Sequence, residues 1–86
     1  MEIEFTLKAK EDVDFWIKSG NNAVLKKIRT LLDSVQDTPF RGIGKPEQLK
    51  YEWIGYWSRR INQEHRLIYE ITDKKIIIHS LRGHYD

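Results

Sequence analysis

An α+β domain, in which a small, twisted, mainly antiparallel sheet is backed by two N-terminal helices, is the fold class that the 86-residue sequence predicts. Three observations carry this expectation. Apolar residues alternate in "EIEFTLK" at 2–8, and then recur at helical spacing from Ala9 to Val35. Further on, two alternating runs flank a short polar turn and precede three successive isoleucines. The element order is therefore β-α-α followed by β-β-β, with the helices forming a layer that covers the sheet.

Each element has its own signal. Ile3, Phe5 and Leu7 fall on one side of a first strand over 2–8. In the first helix, Ala9, Val13, Trp16 and Ile17 form the apolar face, Glu11 and Asp12 suit the first turn, and Gly20 can close the helix. A second helix over about 22–36 carries Val24, Leu25, Ile28, Leu31, Leu32 and Val35 as one stripe, with Lys26, Lys27 and Arg29 facing away and Pro39 just beyond. "TPFRGIGKPEQ" at 38–48 reads as a loop leading into a short strand near 49–52. It is not a P-loop, because Gly42, Gly44 and Lys45 lack the required frame and a proline follows. "KKIIIHSLR" at 74–82 reads as an interior strand covered on both faces.

The hairpin can be read at the level of register. With Asn62, Gln63 and Glu64 as the loop, Ile61 opposes His65, Arg60 opposes Arg66, Arg59 opposes Leu67 and Trp57 opposes Tyr69. Two like charges directly opposite cost up to about 1 kcal/mol, so a compensating anion is expected at Arg60 and Arg66. Their planar forks suit a phosphate. Trp57 is assigned to the core against Tyr69, and His65 and His79 to packing across the sheet.

Length and composition limit the function classes. A chain of this size is one domain, residues 1–86, which buries little more than about 60% of its unfolded surface and is marginal alone, making a homodimer a candidate assembly. Without cysteine there is no disulfide framework or cysteine-based zinc site, and His65, His79 and His84 lack metal-ligand spacing. No cofactor is implied. The N-terminus lacks the pattern of a signal peptide and no apolar run approaches spanning length, so a soluble, cytoplasmic chain without membrane contact is expected. Net charge is +2, but residues 1–40 hold six basic and seven acidic residues against nine and six in residues 41–86. The excess positive charge thus lies in the half that contains the hairpin.

Four segments, Gly44-Lys45-Pro46-Glu47, Trp57-Ser58-Arg59-Arg60-Ile61, Glu64-His65-Arg66-Leu67 and His84-Tyr85, occur in the order and spacing of the YoeB (Txe) toxins of the RelE/ParE superfamily, which the chain resembles over nearly its whole length. The resemblance implies a RelE-like fold and a ribosome-dependent mRNA endonuclease, with a YefM-type antitoxin as partner and the ribosome and mRNA as targets. It places the catalytic glutamate on Glu47, the catalytic arginine on Arg66 and the terminal pair on His84 and Tyr85, with Lys50 and Arg60 as further basic positions. Lys45 and Arg59 are expected to add RNA contacts, and Tyr51 and Trp53 to extend the surface. The family pattern typically stops at the His-Tyr pair, whereas this chain adds Asp86, which could repel the phosphate or support a protonated His84.

Those residue types suit metal-independent RNA cleavage. Glu47 can accept the proton of a 2′-hydroxyl, His84 can protonate the 5′-oxygen, and Arg60 with Arg66 can stabilise charge on phosphorus. Tyr85 can stack on a base. Two other classes remain open: a non-enzymatic toxin directed at gyrase, like the ParE branch, and a plain RNA-binding module. Glu47, His84 and Tyr85 argue against the first, and the second leaves the acid and base positions without purpose.

Overall fold

Thr6 decides where the first strand ends. In the computed structural model, which describes residues 1–83 and leaves His84, Tyr85 and Asp86 outside the described residues, β1 is Glu2–Phe5 and α1 is Leu7–Lys18. The Thr6 hydroxyl accepts from the Ala9 N–H at 3.1 Å, a side-chain cap that starts the helix earlier than periodicity alone indicates. Leu7, expected on the apolar side of β1, is consequently an exposed helical residue, and Ile17 is exposed as well. Asp12 lies beyond the first turn and is buried.

The second helix, α2, is Asn22–Asp37, close to the expected span, and the Asn21 side chain caps it by accepting from the Val24 N–H at 3.1 Å. Gly20, at a φ of 70° that favours glycine, makes the tight connection between the helices. Val24, Ile28, Leu31 and Val35 are buried and Leu25 and Leu32 pack beside them, so the stripe is core as predicted.

The sheet differs from expectation at one edge. β2 is only Glu47–Gln48, and the strand expected near 49–52 is replaced by a 3₁₀ turn at Tyr51–Trp53. Tyr51 has φ 58°, a left-handed conformation that interrupts an extended run. β3 is Tyr56–Arg60, β4 Arg66–Ile71 and β5 Lys75–Ser80, arranged in the order β1-β5-β4-β3-β2. β5 is interior as predicted, parallel to β1 and antiparallel to β4, and the other pairings are antiparallel. The hairpin register is the predicted one: Trp57 opposes Tyr69, Arg59 opposes Leu67 and Arg60 opposes Arg66.

Residues that oppose one another share a face. Gln48, Trp57, Tyr69, Ile78 and Phe5 form one row, and Arg59 with Leu67 lies two residues along it; this is the face that α1 and α2 cover. The outer face carries Glu47, Ser58 and Ile68 in one row and Arg60 with Arg66 in the next. An irregularity between Ile68 and Tyr69 turns Ser80, opposite Ile68, toward α1, where its hydroxyl donates to Asp12 at 3.4 Å. Ile77 shares the outer row of Glu4, Glu70 and Tyr56 and is only half-buried, so the three isoleucines of β5 are not covered equally on both faces. No helix among the described residues is long and apolar enough to cross a membrane.

Candidate active site

Strand alternation separates the two arginines of "SRR". Arg60 is exposed on the outer face, whereas Arg59 points into the core and is fully buried. All five guanidinium N–H donors of Arg59 are used within the protein. Nε donates to the Tyr69 hydroxyl at 3.1 Å, Nη1 to the Ser34 hydroxyl at 2.6 Å and the Ile43 carbonyl at 3.3 Å, and Nη2 to the carbonyls of Thr38 and Arg41 at 2.6 and 2.8 Å. The expectation that Arg59 contacts RNA is therefore corrected. It is a buried cation that holds the 38–43 loop against the end of α2, where carbonyl dipoles favour positive charge.

The surrounding loop is shaped to admit it. A Cβ on Gly42, at φ 121°, would lie 2.5 Å from Ser34 Oγ and 3.1 Å from Arg59 Nη1. The Tyr69 hydroxyl in turn donates to the Pro39 carbonyl at 2.6 Å. Burial pushes the Tyr69 phenol above the ordinary tyrosine value, while the Arg59 guanidinium opposes that shift.

On the outer face, the predicted Arg60–Arg66 opposition is accommodated by the hairpin end. Arg66 Nη1 donates to the carbonyls of Asn62, Gln63 and His65 at 2.7, 3.2 and 3.1 Å, so backbone dipoles solvate one of the two charges. Arg60 N–H bonds the Gly44 carbonyl at 2.7 Å, which docks the loop before β2 onto β3 and fixes where Glu47 begins its strand. Glu47 pairs with Ser58, one strand and two residues from Arg60. The backbones of Glu47 and Arg66 are on the order of 12 Å apart by ordinary strand spacing, a gap that a glutamate and an arginine side chain can share across a bound phosphodiester.

Lys45, at φ 51°, and Lys50 are exposed on either side of Glu47. Tyr51 is 85% exposed and Trp53 packs edge-to-face on Tyr56 with ring centroids 5.6 Å apart. His79 is bound by Glu70, Nε2 to Oε1 at 2.9 Å, and stacks on Tyr56, a packing role on the sheet as expected. His84 and Tyr85 lie outside the described residues, but Gly83, the residue before them, is described. Its carbonyl accepts from the Arg66 N–H at 2.8 Å, and its N–H donates to His65 Nδ1 at 2.8 Å.

Two contributions were not read from the sequence. Asp12 accepts from the Leu81 N–H at 2.9 Å while Trp16 Nε1 donates to the Leu81 carbonyl at 2.9 Å, so α1 grips the chain just after β5. An aspartate on the apolar stripe between Ala9 and Trp16 was the available signal.

A five-stranded sheet with two helices on one face and opposed arginines on the other defines the class, the RelE-like toxins. The toxin described as YoeB/ParE from Agrobacterium tumefaciens superposes with a TM-score of 0.94 at 38% identity, covering 99% of this chain and 100% of that one. A Staphylococcus aureus toxin, 43% identical with 99% and 98% of the two chains covered, has been solved as a YoeB dimer (TM-score 0.89) and in a heterotetrameric YoeB-YefM toxin-antitoxin complex (TM-score 0.87). Toxin YoeB of Synechocystis is 47% identical over 85 residues, 99% of this chain and 98% of that protein. The model of the YoeB-like toxins of bacterial type II toxin-antitoxin systems matches residues 5–85. The chain belongs to that family.

Proposed function

We propose that this toxin is a ribosome-dependent mRNA endonuclease that cleaves mRNA in the A site and thereby inhibits translation. The observation that carries the reading is the shared outer face: Glu47, Arg60 and Arg66 lie on it, and the Arg66 backbone holds Gly83, from which the His84–Tyr85 segment continues. In the reaction, the RNA 2′-oxygen attacks the adjacent phosphorus and gives its proton to Glu47. The P–O5′ bond breaks as His84 delivers a proton to the leaving oxygen. A 2′,3′-cyclic phosphate and a 5′-hydroxyl result. Arg66, with Arg60, neutralises charge building on the non-bridging oxygens, while Tyr85 supports the substrate by stacking or a hydrogen bond. Lys45 and Lys50 contact flanking phosphates. Both proton transfers use side chains, so the chemistry needs no metal ion.

A YefM-type antitoxin is the proposed partner, by likeness to the S. aureus complex, and its tail silences the toxin by covering Arg60, Arg66 and His84. A homodimer like that of the S. aureus protein would support so small a domain. A ribosomal target places the activity in the cytoplasm. The test is mRNA cleavage on programmed ribosomes by wild type and Glu47→Ala. Wild type is expected to leave cyclic-phosphate ends, and Glu47→Ala to be slower by about 10²–10⁴-fold. Equal rates would overturn the assignment of the base, and an inactive wild type the reading itself.

A further inference from the structure

We infer that His65 is a positioning residue for the C-terminal catalytic segment, its Nδ1 fixing the Gly83 N–H while α1 fixes Leu81. The inference rests on the RNA-cleavage reading and assigns a role to a histidine that reading leaves unused.

β5 ends at Ser80, and the next three residues no longer follow a regular strand. They are held nonetheless. Leu81 is bound at both backbone groups by α1 side chains, Asp12 taking its N–H and Trp16 donating to its carbonyl. Arg82 stacks its guanidinium over the Phe15 ring, 3.6 Å from the centroid. Gly83 is bound at both backbone groups by the hairpin, its carbonyl by the Arg66 N–H and its N–H by His65. The two grips form one unit, because the Trp16 ring that bonds Leu81 also packs edge-to-face on His65, with centroids 4.8 Å apart.

Three of these four backbone contacts come from side chains, and His65 makes the last of them before His84. Gly83 has φ 78°, so its rotation determines the direction in which the chain leaves. An acceptor at Nδ1 holds that rotation in a way that an apolar side chain of equal bulk does not. It also requires the proton of the neutral ring to sit on Nε2, the nitrogen that faces Glu64 Oε2 at 3.6 Å. A proton donor displaced by about 1 Å can cost as much as 10²-fold in rate, so the hydrogen bond matters to chemistry more than to folding.

The test compares wild type, His65→Leu and His65→Asn, since asparagine Oδ1 occupies the place of histidine Nδ1. Single-turnover cleavage on programmed ribosomes is measured with Gly83 amide hydrogen exchange in the free toxin. His65→Leu is expected to lower kcat by roughly 10- to 100-fold with little change in KM and to lose Gly83 protection. His65→Asn is expected to keep that protection and recover most of the rate. If His65→Leu does not fold, His65→Gln, whose acceptor lies at the Nε2 position, takes its place with the same expected loss. Wild-type kcat in the variant lacking the acceptor, or a slow His65→Asn with Gly83 protected, would overturn the role. A wild type that cleaves no mRNA would instead overturn the parent reading and this role with it, while leaving the Gly83 exchange pattern to be seen independently.

Discussion

Arg59 and Arg60 are adjacent in sequence and opposite in environment. Arg59 is buried with five protein acceptors around it, whereas Arg60 is exposed beside Arg66 on the outer face. The same chemical group therefore serves two purposes according to the parity of its position in β3. A guanidinium with its donors satisfied internally shapes the loop at 38–43, and a guanidinium left facing solvent has capacity for a phosphate.

Removing each arginine should separate the two roles. Arg59→Leu would leave the Ser34 and Tyr69 hydroxyls and three carbonyls short of a donor in a small domain, and is expected to cost about 3 kcal/mol or more, lowering Tm by more than about 10 °C. A melting curve matching wild type would break the comparison. Arg66→Ala is expected to lower single-turnover cleavage by about 10²–10³-fold while costing no more than about 1 kcal/mol of stability, because the carbonyls it releases lie at an exposed turn.

The loop gives a third test. Gly42→Ala places a Cβ against Ser34 Oγ at a strained φ, and is expected to destabilise by about 1–3 kcal/mol through the Arg59 cage, read by urea unfolding. Lys50→Ala should leave stability unchanged and lower the salt dependence of RNA binding by about one unit of slope, with kcat little altered. The smallest effect is alkaline. Because burial raises the folded-state pKa of Tyr69, the native state holds that proton more tightly than the unfolded chain. This stabilising contribution is fully present below the ordinary value of 10.0 and is lost as pH rises through the higher folded value, a decline that unfolding measured across that range should show.

Much of this was legible in the sequence where one constraint dominates. A polar three-residue turn between alternating runs fixed the hairpin register, and a six-residue stripe fixed α2. Legibility failed where two constraints compete. Leu7 continues both the alternation of β1 and the periodicity of α1, and the Thr6 cap settles it for the helix. The 49–52 stretch has strand composition, but the left-handed Tyr51 turns it into a 3₁₀ segment. For Arg59 the signal was present: alternation places it on the face of Trp57 and Ile61, both assigned or observed as core, and only its charge suggested solvent. His65 and Asp12 gave less warning, since their partners, Gly83 and Leu81, lie 18 and 69 residues away.

Measuring folding and chemistry on the same two proteins tests the division of labour directly. Thermal melts and single-turnover mRNA cleavage on programmed ribosomes are compared for Arg59→Leu and Arg66→Ala. Arg66→Ala is expected to melt near wild type and cleave at least about 100-fold more slowly, and Arg59→Leu to melt far lower. An Arg66→Ala protein that cleaves at the wild-type rate, or an Arg59→Leu protein that melts like wild type, would contradict the assignment of the outer face to chemistry and the buried arginine to structure.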